Sequence, residues 1–381
     1  MTHAGAVTVT RIVELELVRL RPSLAGRDAG GTVPVLVRVS DGRVNGWGEV
    51  PRTTPEQWEA LARTFAPALL DHSWRRPTEV MEAFADLPWD PALVGALDTA
   101  CWDLWSRQRS TPLAHALGGS RTALTAGATL PRQVCLESVI TEVNRQVGAG
   151  YRRIRLEIEP GWDTDVVRAV QTSFPFLVLQ VDAGGRYTES EADLDALRSL
   201  DGLGLVAIED PFDPEDLGAH TRLTAELRTP VALHRSLTSL EDLKAAIRAE
   251  AGGAVNVDPV RLGGLTSARR AVDMAADAEW QVWCGSPART GVARAATVAL
   301  ASLAGANLPV EMPRAGARGR DLMIPPVRAH DGVVPVPLAG VGLGHELDPA
   351  TLSGFTACTL LLGSTQAVDP GTSQGRGGDP T

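Results

Sequence analysis

Six polar residues stand at matched places in the second half of the chain. Glu157, Asp182, Glu209, His234, Asp258 and Ser286 each lie near the end of a short β-rich run. Acids at one or two strand ends are ordinary helix caps; a row of them along successive runs needs another explanation. Brought together, four carboxylates, an imidazole and a hydroxyl can move protons, orient a substrate or hold a cation. In "RIRLEIEPGWD" (153–163), Arg155 and Glu157 are two residues apart and share one strand face, while Glu159 is read as solvated. A carboxyl becomes a working acid or base when its pKa moves towards the ambient pH, and crowding by like charges does this. Asp182, Glu209 and His234 form a set of two carboxylates and one imidazole. Such a set suits Mn²⁺ or another transition metal better than Mg²⁺. Without a metal, Arg155 or a protonated His234 fills the vacancy, and this metal-free state is the preferred expectation.

The elements that must position these residues follow from the rhythm of the sequence. From residue 123, eight β-rich runs alternate with helical segments: 124–130, 152–158, 176–182, 205–211, 230–236, 254–260, 281–287 and 309–313. That pattern predicts a (β/α) barrel, whose active-site residues sit at the C-terminal strand ends. The first part reads as a small α+β domain. It has a strand in "AVTVTRIVELELVRL" and a hairpin turning at Asp41-Gly42. A helix follows in "DPALVGALDTACWDLWSRQR", with Asp90 as cap and Pro91 at its first position. The expected division is a capping domain over 1–122, completed by about 325–362, a barrel over 123–324 and a disordered tail over 363–381.

Composition narrows the function. The chain has 381 residues, a formal net charge of −10, four scattered cysteines and a single lysine, Lys244. The acidic balance argues against a nucleic-acid partner. No apolar run is long enough to span a bilayer, and the cysteine spacing fits reduced thiols. The expectation is a cytoplasmic enzyme acting on a small molecule, with a homo-oligomer compatible with the reading.

Motifs spread in order along the chain carry a resemblance. "GWGE" (46–49), "ALDTACWDLWSRQRSTPLAHALGG" (96–119), "EIEPGWD" (157–163), "VDAGGRY" (181–187), "IEDPF" (208–212), "RLGGLTSA" (261–268) and "GLGHELD" (342–348) resemble the enolase superfamily. The muconate-lactonizing subgroup fits best, and within it o-succinylbenzoate synthase and N-acylamino acid racemase. The resemblance implies an N-terminal α+β cap over a modified (β/α)7β TIM-type barrel. It also implies proton abstraction next to a carboxylate, with the enolate held on Mg²⁺.

The site departs from that family pattern. The resemblance implies Lys-x-Lys on the second barrel strand, where Arg155 and Glu157 stand. It implies lysine on the sixth, where Asp258 stands in "VNVDP", and a third metal-binding acid at the position of His234 in "LHRS". Arg289 occupies the place of a glutamate, and Gly184 that of an asparagine. Lys244 is read as a surface residue, so no lysine base is available. Counted by motif, Arg155 faces Glu157, Asp182, Glu209 and Asp258, an excess of three negative charges with His234 neutral.

The leading expectation is a lyase or isomerase (elimination, cyclisation or double-bond migration) that uses Glu157 and Asp258 as its acid/base pair. Arg155 and His234 assist, and natural-product biosynthesis is a plausible setting. The substrate expected of a negative site is neutral or cationic. Arg235, Ser286, Arg289, Trp162, Arg27 and Arg52 are the candidate substrate contacts, with the segment 21–31 as a lid. The alternatives are a non-catalytic binder on the same barrel and a metal-dependent reaction of the family type with an unusual base.

Overall fold

The computed structural model describes residues 9–22, 32–314 and 321–363. Arg27, most of the expected lid and the tail beyond Gly363 lie outside the described residues. A four-stranded antiparallel sheet forms the cap, from β1 (Glu14–Leu20), β2 (Val33–Ser40), β3 (Asn45–Thr53) and the late strand Thr356–Gly363, which pairs with β1. Against β3 packs the long helix α1 (Pro91–Gln108), capped as expected by Asp90, whose Oδ1 accepts the Ala92 and Leu93 amides. The glycines of "GWGE" explain how close the two lie. A Cβ at Gly46 or Gly48 would collide with the Ala100 or Ala96 carbonyl. Leu93, Leu97, Cys101 and Leu104 are buried on the helix face that closes this core.

The barrel is a run of parallel strands in sequence order. They are β4 (Ala123–Leu130), β5 (Arg153–Glu157), β6 (Val178–Asp182), β7 (Ile208–Glu209), β8 (Val231–Leu233), β9 (Ala254–Val257), β10 (Gln281–Cys284) and β11 (Val310–Glu311), with β11 pairing back onto β4. Between β10 and β11 the Leu308 amide donates to the Val282 carbonyl at 2.9 Å. Outer helices include α2 (Leu240–Arg248), α3 (Leu265–Asp277) and α4 (Gly291–Ala301). Lys244 is on α2, exposed and paired with Glu241 at 2.6 Å. No helix among the described residues is long and apolar enough to cross a membrane.

The cap is tied to the barrel by acids that serve as helix caps across the domain boundary. Glu49, at the end of "GWGE", accepts from the backbone N–H groups of Arg289 (2.6 Å), Thr290 (3.1 Å) and Ala293 (3.1 Å) and from the Thr290 hydroxyl (2.5 Å) at the start of α4. Asp98 of α1 accepts the Thr266 amide at 3.0 Å and its hydroxyl at 2.5 Å at the start of α3. Both carboxylates meet the positive end of a helix dipole. Burial pushes the Glu49 carboxyl up and raises Asp98 to about 7, against the pull of these donors.

Candidate active site

Alternation along β5 turns Arg153, Arg155 and Glu157 to the barrel interior at three heights. At the bottom, Arg153 is fully buried over the Trp283 ring. Its Nε donates to Gln180 at 3.0 Å and its Nη1 to Glu311 at 3.2 Å. One layer up, Arg155 donates from Nε to the Thr129 hydroxyl at 2.8 Å. Its Nη1 lies 2.7 and 2.6 Å from the two Glu209 oxygens and 3.8 Å from Asp182. Gln180 adds a 3.0 Å bond to Glu209. Burial alone would lower the Arg155 pKa; Glu209, Glu311 and Asp182 raise it well above the ordinary value.

His234 extends this network to Asp258. Its Nδ1 lies 3.2 Å from Glu209 Oε1, an ion-pair contact without hydrogen-bond alignment, and its Nε2 lies 3.4 Å from Asp258 Oδ2. Burial opposes the charge on the ring, but Asp258 and Glu209 overcome it and raise His234 to about 9. The imidazole is therefore protonated at neutral pH. Burial likewise opposes ionisation of Glu209, yet Arg155 and His234 pull it down to about 2. Asp258 Oδ1 is fixed by the Val260 amide at 2.9 Å.

A fourth cation joins from the loop after β8. Arg235 Nη1 lies 2.9 Å from Asp182 Oδ1 and 2.8 Å from Asp210 Oδ2, and its Nη2 lies 3.2 Å from Asp182 Oδ2. Asp210 departs from strand geometry at a φ of +43°, and its carboxylate also accepts the His234 and Arg235 amides at 2.9 and 3.1 Å. Burial, then the nearby Glu209, raises the Asp210 pKa.

These contacts change the charge count. Arg153 and Arg235 enter the set and His234 is charged, while Asp210 and Glu311 enter as acids, so the excess falls from the three negative charges expected from the motifs to two. The strand ends open on a cavity of about 680 Å³ whose charged lining is Arg52, Arg155, Arg235, Arg261 and His234 against Asp258 and Glu311. Arg155, His234, Arg235, Asp258, Ser286 and Arg52 thus meet at one cavity. Asn256 joins them with its buried Oδ1 unpartnered among the described residues. Arg289 lines an adjoining chamber of about 380 Å³, shared with Arg52 and Ser286. Glu157 does not line the cavity. It is half-buried at the end of β5, level with Asp182 in the strand register. Trp162 also stands off it, under the Arg132 guanidinium at 5.3 Å.

Sequence reasoning missed Arg153, Asp210, Asn256, Arg261 and Glu311. The alternation that exposed Arg155 also placed Arg153 on the same face, two residues earlier. The adjacent acids of "IEDP" were the available hint of Asp210.

The resemblance implies a divalent metal, a group that superfamily members generally use. Glu209, Asp210 and His234 do offer ligand atoms within 4.8 Å of one another. The donor chemistry does not fit. Asp182 and Asp210 share one arginine, and both Glu209 oxygens are taken by another.

Comparisons with known proteins agree with this architecture. A family model described as "Enolase C-terminal domain-like" matches residues 138–351. The chain is 34% identical to an o-succinylbenzoate synthase of Geobacillus kaustophilus, over 87% of this chain and 90% of that protein. It is 38% identical to an N-succinylamino acid racemase of Thermus thermophilus, over 75% and 77%. A crystal structure of an enolase superfamily member from Listeria innocua superimposes with a TM-score of 0.86 at 26% identity, covering 93% of this chain and 100% of that one. Cap, barrel and motifs together make the chain a member of the enolase superfamily, in its muconate-lactonizing-like subgroup of lyases and isomerases.

Proposed function

We propose that this protein is a lyase or isomerase that moves a proton next to an anionic group of a small substrate, using carboxylates and an imidazolium in place of lysines. One observation carries the reading: the Glu209–His234–Asp258 chain opens directly onto the cavity. His234 is the proton donor, kept charged by the carboxylate on either side. Asp258, tied down through Oδ1, presents Oδ2 as the acceptor. Glu157, on the second strand against the sixth, is the second carboxylate of the pair, reached from the rim. The four lining arginines favour a carboxylate-bearing substrate, where the motif count had favoured a neutral or cationic one. The working state is metal-free, and no step is routed through an ion. The curated relatives named for o-succinylbenzoate synthesis and N-succinylamino acid racemisation make succinylated carboxylates the first substrates to try.

The test is proton exchange. The native protein is incubated in D₂O with a panel of N-succinylamino acids and other small carboxylates, and loss of the α-proton signal is followed by NMR. Exchange by the native protein, lowered about 100-fold or more in Asp258→Asn, is the expected outcome. A second reading, a non-catalytic binder, is favoured by the position of Glu157 away from the cavity lining. Binding of panel members without exchange supports that reading instead.

A further inference from the structure

We propose that Arg235 is a built-in cation standing where this fold would otherwise admit a divalent ion, and that its remaining donors receive an oxyanion of the substrate. The inference builds on the anionic-substrate reading of the same site.

One nitrogen of Arg235, Nη1, is shared between Asp182 and Asp210 at 2.9 and 2.8 Å, while Nη2 holds the other Asp182 oxygen. A single positive atom bridging two carboxylates does what a metal ion does there, with the charge carried on the chain. Arg155 closes the third side. It binds both oxygens of Glu209 and approaches Asp182 at 3.8 Å. Two guanidiniums thus contact all three acids and offset two of their three negative charges. A divalent cation entering among them would have to displace Arg235 from both Asp182 and Asp210.

The placement of Arg235 is itself fixed. Its own amide and that of His234 both donate to Asp210. The φ of +43° at Asp210 turns this carboxylate under the loop. A guanidinium carries five N–H groups. The three contacts above leave Nε–H and one Nη2–H of Arg235 unengaged among the described residues, and Arg235 lines the cavity. Arg155 lines the same cavity, and the unpartnered Oδ1 of the buried Asn256 there is an acceptor for an N–H or O–H of the ligand rather than for its oxyanion. Charge at this position is therefore fixed by sequence and independent of metal supply.

The experiment uses the full chain, stripped with chelator, and measures binding alone. Mn²⁺ binding is read by the EPR signal of the free ion, and succinate binding by titration calorimetry. The native protein and Arg235→Ala, Arg235→Gln and Arg235→Lys are compared, with folding checked by circular dichroism. Expected results are no Mn²⁺ binding tighter than about millimolar by the native protein and a gain of about tenfold or more in Arg235→Ala and Arg235→Gln. Succinate affinity is expected to fall about tenfold in both and to be partly kept in Arg235→Lys, which retains the charge. Micromolar Mn²⁺ binding by the native protein overturns the proposal. So does succinate affinity that is absent in the native protein or unchanged in the neutral variants. If neither neutral variant folds, the native Mn²⁺ titration and Arg235→Lys decide it, with unchanged succinate affinity in Arg235→Lys counting against Arg235. Neither arm reads turnover, so failure here is distinct from failure of the proton-transfer assignment.

Discussion

The ring of His234 stands 3.4 Å from Asp258 through Nε2 and 3.2 Å from Glu209 through Nδ1, so one imidazolium joins an acid on the cavity wall to an acid deep in the barrel. This relationship separates the roles of the two carboxylates. Glu209 is saturated by Arg155, Gln180 and His234. Asp258 lines the cavity, with Oδ1 on the Val260 amide and Oδ2 facing His234 at 3.4 Å.

Glu209→Gln is expected to destabilise the fold, because it leaves Arg155 and His234 as buried charges with a partner removed. The loss should be about 3 kcal/mol, read as a lower midpoint in urea unfolding.

Glu157→Gln makes the opposite prediction. The side chain is only half-buried, so the urea midpoint should stay within about 0.5 kcal/mol of native. Proton exchange on an active panel member should fall about 100-fold. Unchanged exchange removes Glu157 from the acid/base pair and leaves Asp258 and His234 to act alone.

Asp98 predicts how stability depends on pH. Its folded pKa is about 7, against roughly 3.9 for an unfolded aspartate. Between these values the folded chain binds the proton more tightly, so this group's contribution is present at low pH and is lost as pH rises from about 4 to 7. The stability difference between native protein and Asp98→Asn should therefore shift against the native protein by on the order of 4 kcal/mol across that window and level off above it. Urea unfolding at pH 5 and pH 8 checks both the sign and the plateau.

Glu49→Ala removes the acceptor for three backbone amides and the Thr290 hydroxyl at the start of α4. A cost of about 3 kcal/mol is expected. The loop from Ser286 to Arg289, which shapes the cavity edge, should loosen with it. Hydrogen exchange of the Arg289, Thr290 and Ala293 amides would report this directly; unchanged protection would show that the helix start is held by other contacts.

The barrel was legible because strand-end acids and alternating burial survive in the linear order of the chain. Asp182, Glu209, His234 and Asp258 could be read as convergent for that reason. What escaped was direction off the strands. Asp210 lies one residue past a strand residue, and alternation would send it outward, but its positive φ turns it in. Arg235 follows His234 in a loop, where no periodicity says which way a long side chain reaches. The protonation of His234 depends on two acids distant in sequence, so a motif-by-motif charge count left it neutral and gave the interior the wrong balance. Glu157 shows the reverse limit: alternation puts it on the face of Arg155, yet it is not among the residues that line the cavity.

The lone lysine on α2 is exposed and outside the set of residues that line the cavity. Apart from the chain's own amino terminus, it is the sole primary amine on the molecule. Amine-directed coupling to a resin or dye should therefore attach the protein in nearly one orientation with its pocket unmodified. Dicarbonyl reagents selective for guanidines should instead reach the mouth of the barrel.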